Sequence, residues 1–146
     1  GGKKPKYEVV ITNEDLQNVE ATFSDKRDND KVDFAMFGCP HFTLEEAQHI
    51  AEGVKGKKLA IPMYILVSSH ALQMAQRMGI ADVLAEAGAE IIADSCPDQP
   101  CWHYLKGKVG ITESPKCAYY PRRRGIHFII RDLDTCIQAA LTGEVK

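Results

Sequence analysis

The sequence predicts an α/β domain built on a mainly parallel sheet with helices on both faces. Three observations carry this expectation. Short apolar, β-prone runs alternate with segments of helical period along the whole chain. Residues 59–67 are almost continuously apolar, as expected for a strand buried on both faces. Ser, Thr or Asp residues stand just after several of these runs, where they can cap a following helix.

Residues 1–6, opening Gly1-Gly2-Lys3-Lys4, read as a tag remnant or a disordered end, and residues 7–146 as a single domain. Tyr7-Glu8-Val9-Val10-Ile11 is β-prone. Thr12 can cap a helix after it, with Leu16, Val19 and Phe23 on one face. Residues 24–31 are charged and polar, a loop. Residues 32–37 read as a strand that ends at Gly38-Cys39-Pro40-His41. Thr43 and Glu46 then make a capping box, in which each side chain bonds the other's backbone N–H. That helix carries Leu44, Ala47, Ala51 and Val54 in one stripe, with Gly53 and Gly56 at its end. After the strand at 59–67, Ser68-Ser69 cap a helix over 70–78 that stops at Gly79. A short helix over 81–87 ends at Gly88, and a strand over 90–93 leads into Asp94-Ser95-Cys96-Pro97. Strands over 109–112 and 126–130 follow. Asp132 or Asp134 caps a last helix through Cys136, Ala139, Ala140 and Leu141.

Composition narrows the functional classes. At 146 residues, with 45% apolar and 26% charged residues, the chain is an ordinary globular domain. A net charge of −2 gives no field that would draw it to nucleic acid or an anionic membrane. No apolar run reaches the length of a membrane span. Five cysteines, an odd number without regular spacing, argue against a secreted disulfide scaffold and for a reducing cytoplasm.

In parallel sheets, ligands bind beyond the carboxyl ends of the strands. Four segments share that edge on this reading: 38–41, 68–70, 94–96 and 112–116. Cys39 stands just ahead of a helix start, where partial positive charge favours the thiolate. Cys39 and Cys96, each at a strand end, can meet in space as a ligand pair, and cysteine is the ligand of iron–sulfur clusters. From spacing alone each reads first as an ordinary buried thiol, since no C-x-x-C pair is present. Cys96, Cys101 and His103 can alternatively hold zinc, with Cys39 or His41 as a fourth ligand. Lys116 can bind a substrate carboxylate, and Ser114 can hydrogen-bond it or carry a proton. Arg122-Arg123-Arg124 reads as an exposed turn able to meet a phosphate or an acidic partner. His49 and His127 read as bystanders.

The order of motifs resembles the aconitase X family. The likeness runs through Asn13-Glu14-Asp15-Leu16, Val32-Asp33, Gly38-Cys39-Pro40-His41 and Thr43-Leu44-Glu45-Glu46. It continues through Glu86-Ala87-Gly88-Ala89, Asp94-Ser95-Cys96, Thr112-Glu113-Ser114-Pro115-Lys116, Ala118-Tyr119-Tyr120 and Cys136-Ile137-Gln138-Ala139-Ala140. Its specific parts are the Gly38–His41 stretch and the cysteine after the third strand.

The resemblance implies a cytoplasmic hydro-lyase of the aconitase superfamily, removing water from a small hydroxy acid such as a hydroxyproline or phosphomevalonate. It implies an iron–sulfur cluster, 4Fe-4S or 2Fe-2S, with Cys39 and Cys96 at two of its three cysteine positions. The third cysteine is expected from a segment N-terminal to this chain. Ser114 and Lys116 become candidates for catalysis, and Ser68, Ser69 and His41 for contacts to substrate. The chain resembles the C-terminal third of the family's large subunit. The N-terminal part and the swivelling small domain or subunit are the implied partners, and the domain alone is expected to be inactive. The chain departs from the family at Glu113 and Pro115, where an Asn and a Gly are usual, and a carboxylate there weakens anion binding near Lys116. A rival of another class is a non-catalytic α/β module that binds an anion or a partner through the strand-end loops and Arg122–Arg124.

Overall fold

The five apolar runs that alternate with helices pair as one parallel sheet in the order β3-β2-β1-β4-β5. The strands are β1 (Phe34–Phe42), β2 (Met63–Val67), β3 (Ala89–Ala93), β4 (Val109–Thr112) and β5 (His127–Ile130). The computed structural model describes Gly2 and residues 4–25 and 31–145. Gly1 and Lys3 of the expected tag remnant, and residues 26–30 of the expected loop, lie outside the described residues.

Helices α2 (Leu44–Val54), α3 (Ser69–Arg77), α4 (Ile80–Ala87) and α6 (Leu133–Thr142) contribute to the core on one face, with Ile50, Val54, Leu84 and Ile137 buried there. The other face is covered by the 3-10 helix η1 (Pro100–Leu105) and by α5 (Pro115–Tyr119) with η2 (Tyr120–Arg124). Trp102, Leu105 and Cys117 pack there against Phe34, Met36 and Phe128. The strand order changes direction at β1, so β1 and β4 flank the point where crossovers leave to opposite faces. A crevice opens at the carboxyl ends of the strands at such a point. The parallel, two-faced α/β expectation therefore holds. Among the described residues, no helix is long and apolar enough to cross a membrane.

Most element positions follow local rules. Thr43 and Glu46 form the capping box as expected, and Ser68 and Asp132 cap α3 and α6. The helix α2 ends at Val54, between Gly53 and Gly56, as expected. Gly53 lies inside the helix, where an added Cβ would stand 3.1 Å from Ile137 Cγ2, so it serves close packing on α6.

Residues 7–11 are not a strand, and Tyr7, Val9, Val10 and Ile11 are exposed. Strand preference is a preference for a pleated, half-buried surface, and it has no effect without a neighbouring strand. At the β5 edge, Asp25 N–H donates to Phe128 O (2.7 Å) and Ile130 N–H to Ser24 Oγ (3.0 Å). The residues following α1 (Asn13–Phe23) thus engage part of the β5 edge.

Candidate functional site

The site begins with an irregularity in β1. Phe37 pairs with Ile65 and Phe42 with Val67, so five steps along β1 answer two along β2. The strand does not end at Phe37 as the sequence suggests: Gly38, Cys39, Pro40 and His41 bulge between two paired anchors, and β1 continues to Phe42. Gly38 has φ +98°, and an added Cβ would lie 2.0 Å from Leu66 O. The Cys39–Pro40 peptide bond is cis.

Gly38, Cys39, Pro40 and His41 line a shallow cleft of about 230 Å³ with Ser95, Cys96, Pro97 and Lys116. Fold topology thus brings together Cys39, Cys96, His41 and Lys116 from three separate segments. His41 Nε2 lies 2.7 Å from Ser95 O. A carbonyl only accepts, so Nε2 carries the proton and ties the bulge to the Cys96 segment.

Ser114 lies just beneath, 8% exposed. Its hydroxyl donates to Cys39 O (2.5 Å) and accepts from Cys117 N–H (3.2 Å), capping α5. It therefore joins the end of β4 to the Cys39 peptide. Ser68 and Ser69 do not line the cleft. Ser68 Oγ accepts from Ala71 N–H (3.2 Å), and Ser69 N–H donates to Asp94 Oδ1 (3.0 Å). Asp94 has φ +53°, the one non-glycine residue in that region among those described.

The electrostatics of Cys39 differ from the sequence expectation. Burial raises its thiol pKa, the neighbouring Cys96 thiol adds to the rise, and Lys116 opposes it. Proximity to a helix start does not offset desolvation at a site 7% exposed. Cys117 and Cys136 are fully buried and also raised by desolvation, and both pack in the core. Cys101 is exposed, with Sγ 3.9 Å from Gln99 Oε1. Among the described residues no three His, Cys, Asp or Glu side chains converge, so the zinc set of Cys96, Cys101 and His103 does not assemble. The cleft supplies two thiols, sulfur donors that suit an iron–sulfur cluster in kind and leave further ligands to come from elsewhere.

Several supporting residues carry no sequence signal. Trp102 Nε1–H donates to Cys96 O (2.9 Å) from its buried position. Asp98 accepts from Arg123 Nε (3.2 Å), Arg123 Nη2 and Arg124 Nε (3.0 Å). Arg122 pairs with Asp25 (2.7 Å), so all three arginines of the basic run have carboxylate partners. His49 meets Asp134 (2.7 Å) and His127 meets Asp25 (3.4 Å), both away from the cleft.

Glu113 is partly buried beside Ser114, and burial pushes its pKa up to about 7, with Glu46 adding to the rise. Thr112 Oγ1 donates to Glu113 Oε2 at 3.3 Å and only partly offsets this. The folded state holds this proton longer than the unfolded chain, so the group costs stability as pH rises from about 4.5 to 7. Glu113→Gln is expected to stabilise the domain by on the order of 2–3 kcal/mol at pH 8. The difference should vanish near pH 4, where the carboxyl is protonated in both states. Urea denaturation at the two pH values checks this.

Comparison with known proteins places these features in a family. Residues 32–142 match the family model described as Aconitase X third domain. The chain is 31% identical over 151 residues to the phosphomevalonate dehydratase large subunit of Thermococcus kodakarensis, covering 95% of this chain and 38% of that protein. It is 29% identical over 141 residues to the cis-3-hydroxy-L-proline dehydratase of Hypocrea jecorina, covering 88% of this chain and 22% of that one. The holo-form crystal structure of Thermococcus kodakaraensis aconitase X superposes with a TM-score of 0.77 at 30% identity. That match covers 90% of this chain and 34% of the other. The chain thus spans well under half the length of these relatives. With its parallel sheet and its Gly38–His41 bulge, the chain belongs to the aconitase X family, within which residues 32–142 correspond to the third domain.

Proposed function

We propose that this domain works within an aconitase X hydro-lyase that eliminates water from a small hydroxy acid, with Cys39 and Cys96 as two ligands of an iron–sulfur cluster. The observation that carries this reading is the convergence of both cysteines and Lys116 on one cleft, in a chain whose relatives are named as dehydratases. A third ligand comes from a part of the enzyme outside these residues. A small subunit is the natural partner, since the Thermococcus relative is named as a large subunit. All five cysteines are free thiols, which suits a reducing cytoplasm.

The chemistry such a cluster supplies when bound is Lewis acidity toward an oxygen ligand. The residues of this chain do the rest of what the domain contributes. Cys39 is held in its bulge by the Ser114 hydroxyl on its carbonyl. Lys116, exposed at the cleft rim, offers an ammonium to the substrate's carboxylate or phosphate. His41 donates through Nε2 to Ser95 and keeps Nδ1 for a substrate hydroxyl or a proton. Ser68 and Ser69 act from outside the cleft, by capping α3 and binding Asp94.

The non-catalytic anion-binding reading draws least support, because the arginine run is already engaged by Asp25 and Asp98. The test is to reconstitute the full-length protein carrying this domain anaerobically with iron and sulfide, together with its small subunit. Phosphomevalonate and cis-3-hydroxy-L-proline are then offered as substrates. Bound iron and sulfide with release of an unsaturated product from one of them is expected. A folded complex that binds neither iron nor sulfide would overturn the proposal.

A further inference from the structure

Cys96 sits on an exposed segment after β3, yet a two-thiol ligand set needs its sulfur at a fixed place relative to Cys39. Three attachments hold that segment. His41 Nε2–H binds Ser95 O at 2.7 Å, Trp102 Nε1–H binds Cys96 O at 2.9 Å, and two arginines grip Asp98. We propose that Asp98, clamped by Arg123 and Arg124, is a positioning residue that sets the Cys96 thiol against Cys39 across the cleft. This inference rests on the assignment of that cysteine pair made above.

The grip is specific in geometry. Arg123 donates through Nε and Nη2 to the two carboxylate oxygens of Asp98, a side-by-side pairing that fixes the plane of the group. Arg124 Nε donates to Asp98 Oδ1 at 3.0 Å and to the Asp98 backbone O at 2.9 Å, so it holds the main chain as well. Both arginines lie on η2, directly after the α5 helix that carries Lys116 and is capped by Ser114. The clamp therefore joins the Cys96 segment to the element that also holds Cys39 O through Ser114.

The Arg123 side chain is 66% exposed and Arg124 34%, while the Asp98 side chain they share is 15% exposed. A bidentate, networked grip on a partly buried carboxylate contributes to stability and to placement together. Ordering both arginines on one carboxylate has its use in placement, since groups behind a ligand orient it. The arginine run, which in sequence looks like an anion-binding turn, is on this reading an internal brace.

The test reads thiol placement without iron or turnover. In a Cys101→Ser background, Cys39 and Cys96 are the thiols that line the cleft, whereas Cys117 and Cys136 are wholly enclosed in the core. Phenylarsine oxide reports whether they can act together: two As–S bonds form, and the two thiol protons leave with the arsenoxide oxygen as water. One-to-one capture by the parent is expected, with affinity falling about tenfold or more in Asp98→Asn. The pair Arg123→Gln, Arg124→Gln should produce the same loss from the other side, and adding it to Asp98→Asn should cost nothing further. Asp98→Glu should restore part of the affinity. Alkylation of Cys96 by iodoacetamide in a Cys39→Ser background should be no slower, which separates misplacement from occlusion. Parental affinity in a folded Asp98→Asn protein or in the arginine pair would overturn the clamp. Absence of capture in the parent would instead overturn the pairing of the two cysteines.

Discussion

Cys39→Ser and Cys96→Ser are each expected to strip iron from the reconstituted enzyme while leaving the domain folded. Iron in such clusters is bound by thiolate, and a serine hydroxyl does not ionise near neutral pH to replace it. The structural cost is small and unequal. Cys96 is exposed, so its replacement should change stability by no more than about 0.5 kcal/mol. Cys39 is 7% exposed, and a hydroxyl there costs about 1–3 kcal/mol unless it finds a partner. Cys117→Ser and Cys136→Ser give the opposite pattern. Both thiols are fully buried, with Sγ of Cys136 3.5 Å from Arg131 O and that of Cys117 4.0 Å from Met36 O. These variants should lose stability and keep iron. Metal analysis per chain, read beside circular dichroism, separates the pairs. Full iron content in either cleft variant would remove that cysteine from the ligand set.

Gly38→Ala should produce the largest loss of stability of any glycine-to-alanine change among the described residues. Two separate effects combine. A side chain at φ +98° is strained by on the order of 1–3 kcal/mol whatever surrounds it. Its Cβ would also stand 2.0 Å from Leu66 O, a backbone atom within β2 that no rotamer change can move. Relieving that overlap means pushing β1 away from β2, and overpacking of this kind costs about 1–3 kcal/mol. Against a total stability of about 5–15 kcal/mol, the combined loss is a large fraction. With a combined cost of about 2–6 kcal/mol, the melting temperature should fall by roughly 4–24 °C, given about 2–4 °C per kcal/mol for a domain of this size. Because the bulge carries Cys39, thiol capture at the cleft should weaken as well. Gly56→Ala is the control, since Gly56 has φ +72° but open space around it. A loss in Gly38→Ala no larger than in that control would show that Leu66 does not confine the bulge.

Elements set by local chemistry are legible along the chain. The Thr43–Glu46 capping box, the Ser68 and Asp132 caps and the strand at Val109–Thr112 depend on residues within a few positions of one another. Local reading falls short where a distant neighbour decides. Residues 7–11 have strand composition but lie exposed outside the sheet, while Ser24 and Asp25 bond to the β5 edge. Gly53 stands near the end of α2 as its sequence suggests, but its closeness to Ile137 on α6 is set by tertiary packing. The arginine run looks free because its partners, Asp25 and Asp98, lie 97 and 25 positions away.

Fold class, family likeness and the residue types at the cleft, two cysteines, a histidine and a lysine, all follow from the order of amino acids. Which of the candidate residues share that cleft follows from folding alone. The assembled sheet keeps Ser68 and Ser69 outside, places Ser114 under the Cys39 peptide, and raises the Cys39 and Glu113 pKa values by burial. The division has a physical origin. Periodicity, caps and turns are energies of neighbouring residues and can be read in one dimension. Desolvation, ion pairing and the closeness of Gly38 to Leu66 are set by groups brought together only when the sheet assembles.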